Sequence, residues 1–439
     1  MDQLHRKLTF KDNRAFGVTD LRGEAPRGAP SELGLYFNDT RYLNIWEMLL
    51  NGQSPVPLAQ ELRHSGTTWV LSMTNQDLEQ LEASKTGNTA KPIPRDSFLI
   101  RRILCLHEDS LFEILTLRNF SSQTQIIQLE SWAGASFDDL FEVRGMTRKS
   151  RGTQLAPEDR SADSSTHTHQ VLSYEGLDHR IRRTHLQKFY FSKKIRYAPQ
   201  LLGSFSRHEL APKEILTLRT HVSFDEGRPP IFYGEPFSDL DAGAMMKLVS
   251  ERRRSKLFFD LAIETDHAIF NRAIESARTD LEMLITCEDD GSYYPYAGIP
   301  WFSAPFGRDG LISAYQMLPW CPELAQGVLD FAFEHLGRRF ESFTDEEPGK
   351  VFHELRRGEM ANLREIPFVP YFGSVDATPL ALILLHEYAC WTQDRERIER
   401  WWPHAIRALD WIDHCAITPA DGAGSGFVEY QQKTTEGLS

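Results

Sequence analysis

The segment Trp301-Phe302-Ser303-Ala304-Pro305-Phe306-Gly307-Arg308-Asp309-Gly310 combines aromatic rings, proline, glycine and an Arg-Asp pair within ten residues. Such a composition gives a stiff, sharply turned loop that presents flat apolar rings beside a bidentate donor and a carboxylate. That is the chemistry of a sugar site, where aromatic faces stack on the C–H face of a pyranose and planar charged groups grip adjacent hydroxyls. On these residues alone a second reading stays open: Asp309 caps the helix-like run at 311–318, and the rings belong to a core.

The elements that must position this loop differ on its two sides. Before residue 240 the signal is strand. Short apolar runs at 33–37, 42–45, 69–73, 98–106, 111–117, 126–132, 171–174 and 181–191 are separated by polar turns, and Asn51-Gly52 is a strong hairpin dipeptide. Within 214–224, Leu216, Leu218, Val222 and Phe224 alternate with Thr217, Arg219, His221 and Ser223, which predicts burial of one sheet face. The expectation is an antiparallel β-sandwich over residues 1–240. The polar stretch 144–169 reads as a long loop, with His167 and His169 solvated.

Beyond residue 240 the period becomes helical. Residues 245–261 predict a charged linker helix, within a linker spanning 241–266, and Phe270, Ala273, Ile274, Ala277, Leu281 and Leu284 recur at helical spacing. Further helices are expected at 324–336, 376–391 and 395–416. Residues 378–389 are apolar almost all round, which predicts burial on every side. Residues 395–413 set charges on one face against Ile398, Trp402, Ala405, Leu409 and Ile412 on the other. A buried helix followed by an amphipathic one is the inner and outer pair of a helical toroid.

Composition narrows the function. With 62 acidic and 49 basic residues the formal charge is -13, which disfavours nucleic acid and anionic lipid as partners. The longest strongly apolar run, 380–385, is too short for a bilayer span. Five scattered cysteines without C-x-x-C spacing read as buried free thiols of a reducing compartment, and the polar first twenty residues carry no leader, so a cytoplasmic protein is expected. No cofactor or metal is expected. His353-Glu354-Leu355-Arg356-Arg357 has arginine where a zincin needs its second histidine, Gly422-Ala423-Gly424-Ser425-Gly426 lacks the Gly-Lys-Ser of a phosphate loop, and there is no Gly-x-Ser-x-Gly elbow.

Four blocks in order carry a resemblance: Gly298-Ile299-Pro300-Trp301-Phe302 with Phe306-Gly307-Arg308-Asp309; Asp345-Glu346-Glu347-Pro348-Gly349-Lys350; His353-Glu354-Leu355-Arg356; and Pro370-Tyr371-Phe372-Gly373-Ser374-Val375-Asp376-Ala377-Thr378-Pro379-Leu380. Together they resemble the bacterial amylo-α-1,6-glucosidase (glycogen debranching enzyme-like) family. Asn38-Asp39-Thr40-Arg41-Tyr42-Leu43 similarly looks like the β domain that precedes its catalytic barrel. The resemblance implies a β domain followed by an (α/α)6 toroid of the glucoamylase type, acting on glucosidic bonds at non-reducing ends of an α-glucan or oligosaccharide. It also implies that Arg308 and Asp309 hold the terminal sugar, that Trp301 and Phe302 wall it, and that Glu354 and Asp376 line the same mouth. Helix capping by Asp376 and a surface ion-pair network around Glu354 are the bland alternatives.

The sequence departs from the family in length. Twelve barrel helices need on the order of 300 residues, whereas about 170, residues 267–439, follow the linker. The expectation is an incomplete toroid, a fragment of an inverting glycosidase whose general acid and base lie beyond Ser439, with Asp309 and Glu354 as the fallback pair. A different class of reading makes the chain a non-catalytic carbohydrate-binding or assembly protein, self-associating through the exposed half-barrel.

Overall fold

The computed structural model describes residues 6–28, 32–63, 66–81, 92–161, 167–189, 194–198, 201–227, 247, 262–417, 427–428 and 432–434. It divides into two compact units, Met1–Arg252 and Arg253–Ser439. The stretch around residue 240 and most of the expected linker helix lie outside the described residues.

The first unit is built of antiparallel sheets. Strands Ile45–Leu50, Gln125–Gly134, Leu201–Leu210 and Lys194–Ala198 form a four-stranded sheet. A nine-stranded sheet runs through Thr153–Gln154, His167–Glu175, Ile181–Phe189, Ile215–Asp225, Ser110–Asn119, Phe98–His107, Thr68–Thr74 and Val56–Arg63, with Glu158–Asp159 also on His167–Glu175. Met48, Leu50, Ile127, Leu129 and Leu210 of the first sheet share one buried cluster with Met73, Ile100, Leu115, Leu117 and Leu218 of the second, so the two sheets close over a common core. A third, five-stranded sheet contains Gly34–Phe37 and Thr40–Leu43.

Local sequence explains the turns. Asn51 and Gly52 have φ of 48° and 77°, and the Leu50 and Gln53 backbones exchange hydrogen bonds of 2.8 and 2.9 Å. Asn38 and Asp39, at 46° and 60°, turn the earlier hairpin between Gly34–Phe37 and Thr40–Leu43 in the same way. Positive φ at both central residues matches the right-handed twist of the flanking strands.

Two expectations fail in this unit. Ile215–Asp225 buries both faces over its second half, because His221 stacks on Phe112 with ring centres 4.5 Å apart and donates from Nδ1 to Gln187 Oε1 (3.0 Å). The polar stretch 144–169 is not one long loop: it contains the short strands at 153–154 and 158–159. His169 lies on the strand His167–Glu175, its Nε2 3.3 Å from His185 Nδ1, and His167 stacks on Phe189.

In the second unit, helices Gly307–Met317, Pro322–Glu334 and Ala377–Thr392 pack on one another, and Arg395–Ile417 packs on the latter two. Their core joins Leu311, Ala314, Leu324, Val328, Phe331, Ala381, Leu384 and Trp401 to Tyr294 of the short strand Tyr293–Pro295. Ala377–Thr392 is not buried on every side, for Ile383 is 50% exposed on a face shared with the exposed His386 and Cys390. The expected face of Arg395–Ile417 is also displaced. Trp401, Ala405, Ala408 and Trp411 turn inward, while Trp402 is 55% exposed. The indoles decide it: Trp401 Nε1 donates to Asp330 (2.8 Å) and Trp411 Nε1 to Glu347 (2.7 Å). Of the five free cysteines, Cys105 and Cys321 are buried and Cys390 is exposed. No described helix is long and apolar enough to cross a membrane.

Candidate functional site

Three loops are laced together at the start of helix Gly307–Met317. Antiparallel bridges join Phe306 to Glu354 and Glu354 to Tyr371. Gly307 N–H donates to His353 O (2.9 Å), Leu355 N–H to Pro305 O (3.1 Å) and Tyr371 N–H to Glu354 O (2.8 Å). The glycines of the first loop are dictated by this lacing. A Cβ on Gly307 would sit 2.1 Å from Phe352 O, and one on Gly310 would sit 2.4 Å from the Tyr294 hydroxyl. That hydroxyl donates to Phe306 O (2.8 Å), and burial, helped by the Asp309 carboxylate, raises its pKa well above the ordinary tyrosine range.

The charged groups on this frame carry its chemistry. Arg308 donates to Asp376 Oδ2 at 2.9 Å, across 68 positions of chain, with the two side chains 50% and 33% exposed. Asp376 precedes helix Ala377–Thr392 in the cap position but makes no capping bond, and Phe306 occupies the cap position before Asp309. Helix capping therefore explains neither carboxylate. Arg308 and Asp309 both line a cleft of about 220 Å³, together with Leu284, Tyr296, Ile312 and Ser313. Trp301, Phe302, Glu354 and Asp376 are not among its walls.

Glu354 is held differently. It is buried, not part of a surface network, and accepts from Arg356 Nε at 2.6 Å. Arg356 is equally buried and donates through a second nitrogen to Trp301 O (2.7 Å), so the pair fixes the backbone of the aromatic loop. Phe302, 48% exposed, stands edge-on to Phe306 at 5.8 Å. His353 stands edge-on to Phe306 and Tyr371, and burial holds its imidazole below the usual histidine range, with Glu354 opposing. The frame thus brings together Arg308 with Asp376, and Glu354 with the Trp301 backbone. Sequence reasoning missed Arg356, Tyr294 and His353. The signal for the first two is spacing that only a tertiary contact reveals, whereas His353 was visible beside Glu354 as a histidine without a metal partner.

Residues 10–210 match the family of N-terminal domains of (some) glycogen debranching enzymes. The match covers most of the first unit, the Asn38–Leu43 block included, and supports the expected resemblance there; the four blocks between residues 298 and 380 lie outside it. Among solved structures, a putative kojibiose phosphorylase from human microbiome is similar with a TM-score of 0.59 at 8% identity, over 89% of this chain and 54% of that one. At that identity the likeness is one of fold, and this chain spans about half the length of the other. A putative aldose 1-epimerase from Escherichia coli K12 and a galactose mutarotase-like protein from Lactobacillus casei each match 50% of this chain at 8% identity, covering 99% and 100% of their own length. Their TM-scores of 0.27 and 0.28 carry no argument about fold. No curated protein matches the chain.

Proposed function

We propose that this chain supplies the sugar-holding part of an α-glucan-active glycoside hydrolase of the amylo-α-1,6-glucosidase kind, which takes the non-reducing end of its substrate. The observation that carries the reading is the Arg308–Asp376 pair, with both aspartates of the site free of capping duty and the guanidinium open to solvent on one side. A planar guanidinium fixed by one carboxylate beside a second offers adjacent hydroxyls both donors and acceptors. Trp301 and Phe302 supply the apolar wall, Arg308, Asp309 and Asp376 bind the terminal sugar, and Glu354 acts through Arg356 as a positioning residue.

An inverting mechanism needs two carboxyl groups about 6.5–9.5 Å apart with a water between them. Glu354 is engaged by a buried arginine, so the fallback pair of Asp309 and Glu354 is the weaker assignment, and the acid and base are assigned to neither. Titration of the chain with maltotriose and isomaltose tests the reading. Saturable binding is expected, weakened at least about tenfold by Arg308→Ala, since hydrogen bonds to charged groups contribute roughly 1.5–3 kcal/mol. Equal binding by the variant would remove the site. The same material is expected to release no glucose from a limit dextrin.

A further inference from the structure

The segment Gln432-Lys433-Thr434 is fastened to two carboxylates of the block Asp345 to Lys350. Lys433 and Thr434 N–H both donate to Asp345 Oδ1, at 2.8 and 3.1 Å, and the Lys433 ammonium pairs with Glu347 Oε1 at 2.6 Å. Asp345 Oδ2 accepts from the Tyr371 hydroxyl at 3.1 Å. One carboxylate, 1% exposed, thus joins a segment 88 positions downstream to a loop of the candidate site. Tyr371 is the residue bridged to Glu354: its N–H donates to Glu354 O (2.8 Å), its carbonyl accepts from His353 N–H (2.6 Å), and the next residue, Phe372, donates to Thr344 O (2.8 Å) beside Asp345. The same loop then runs on to Asp376, which holds Arg308. Asp345 itself has φ of 53°, a left-handed backbone that residues other than glycine keep where their surroundings fix it, and Lys350 Nζ donates to its carbonyl at 3.4 Å.

We propose that Asp345 and Tyr371 are positioning residues through which the docking of residues 432–434 is coupled to ligand binding at Arg308 and Asp376. This rests on the reading of that site as a sugar site and adds a control of it. Hydrogen bonds to a charged acceptor are the strong ones, and a buried carboxylate that loses two donors draws harder on those that remain, the Tyr371 hydroxyl among them. Lifting 432–434 from Asp345 therefore shifts Tyr371, and with it the loop that sets Asp376 against Arg308. The coupling is reciprocal: a sugar that steadies the loop from Tyr371 to Asp376 also holds 432–434 in place. A clamp that served the fold alone would give stability without this response.

Hydrogen exchange of the Lys433 and Thr434 amides in the full chain, with and without saturating maltotriose, tests the proposal, since exchange requires these amides to leave Asp345. Maltotriose is expected to slow it at least about fivefold, the lower end of ordinary coupling between sites. Tyr371→Phe keeps the ring against His353 and Phe368 and removes only the hydroxyl. It is expected to leave both amides protected in the free chain and to abolish the slowing by maltotriose. Asp345→Ala is expected to lose the protection and to weaken maltotriose binding by the factor found for exchange; should this variant not fold, Tyr371→Phe alone decides. If maltotriose binds the unaltered chain without slowing exchange, if Tyr371→Phe responds as the unaltered chain does, or if a folded Asp345→Ala binds maltotriose normally, the proposal is overturned and the sugar site stands. If the unaltered chain binds neither maltotriose nor isomaltose, the sugar-site reading fails first and takes the coupling with it.

Discussion

Asp376 occupies the position from which a helix is usually capped, yet its carboxylate turns away to Arg308, and that choice separates ligand binding from stability at this residue. The pair is partly exposed, and such pairs contribute about 0–1 kcal/mol to folding. Asp376→Ala is therefore expected to shift urea unfolding by no more than about 1 kcal/mol while weakening maltotriose binding as strongly as Arg308→Ala; a large loss of stability with binding intact would make the residue a structural one. Glu354 is the opposite case. Its removal strands the buried guanidinium of Arg356, so Glu354→Ala is expected to cost about 3–5 kcal/mol, measured by the same unfolding experiment. Pairing it with Arg356→Met should restore much of that loss, because the buried charge goes as well. If the double variant is as unstable as the single one, the cost lies in packing around Trp301 and not in the charge.

At the scale of elements, the nine-stranded sheet carries a row of histidines that predicts its response to acid. Burial lowers the pKa values of His169 and His185 to about 4, and that of His221 to about 3, with Asp225 opposing the shift of His185. The unfolded chain takes up protons below about 6.5 that the folded sheet refuses, so stability is flat above that pH and falls as pH drops from about 6.5 toward 4. The slope is up to about 1.4 kcal/mol per pH unit for each imidazole. His221→Gln should flatten it, measured by urea unfolding across that range; an unchanged slope would place the acid sensitivity in carboxylates. Much of this architecture was legible. Period-two burial found Ile215–Asp225 to within a residue or so, and Asn51-Gly52 announced its hairpin. What the sequence hid was the covering of polar faces: His169 and His221 sit among polar neighbours in sequence, and only cross-strand register puts them against His185, Gln187 and Phe112. The inward face of Arg395–Ile417 was missed for a related reason. Hydrophobicity alone cannot rank Trp401 above Trp402, whereas a hydrogen bond from the indole to Asp330 can. In the site, residue types declared Arg308 and Asp309, but the union of Arg308 with Asp376 and of Arg356 with Trp301 needed three loops to meet.

Taken as a whole, the chain places its two chemical responses in different units. The histidine row lies in the first, Met1–Arg252, whose core includes Ile100, Leu117 and Leu129, and every residue of the candidate sugar site lies in the second, Arg253–Ser439, around Leu311, Val328 and Leu384. Two cores of this size predict two calorimetric transitions. A ligand that binds only the folded second unit stabilises that unit by RT ln(1 + [L]/Kd), about 2.7 kcal/mol at a hundredfold excess over Kd. For a unit of this size that is a rise of roughly 5–10 °C in one transition, with the other unmoved. Acidification from about pH 6.5 toward 4 should do the reverse, lowering the first unit's transition through its histidines. Scanning calorimetry with and without maltotriose, at pH 7 and again near pH 5, reads all four conditions. Should maltotriose raise both transitions equally, the energetics of the two units are joined and the sugar's effect is not confined to the loops around Arg308. Should acid lower only the second transition, the histidine row does not govern the first.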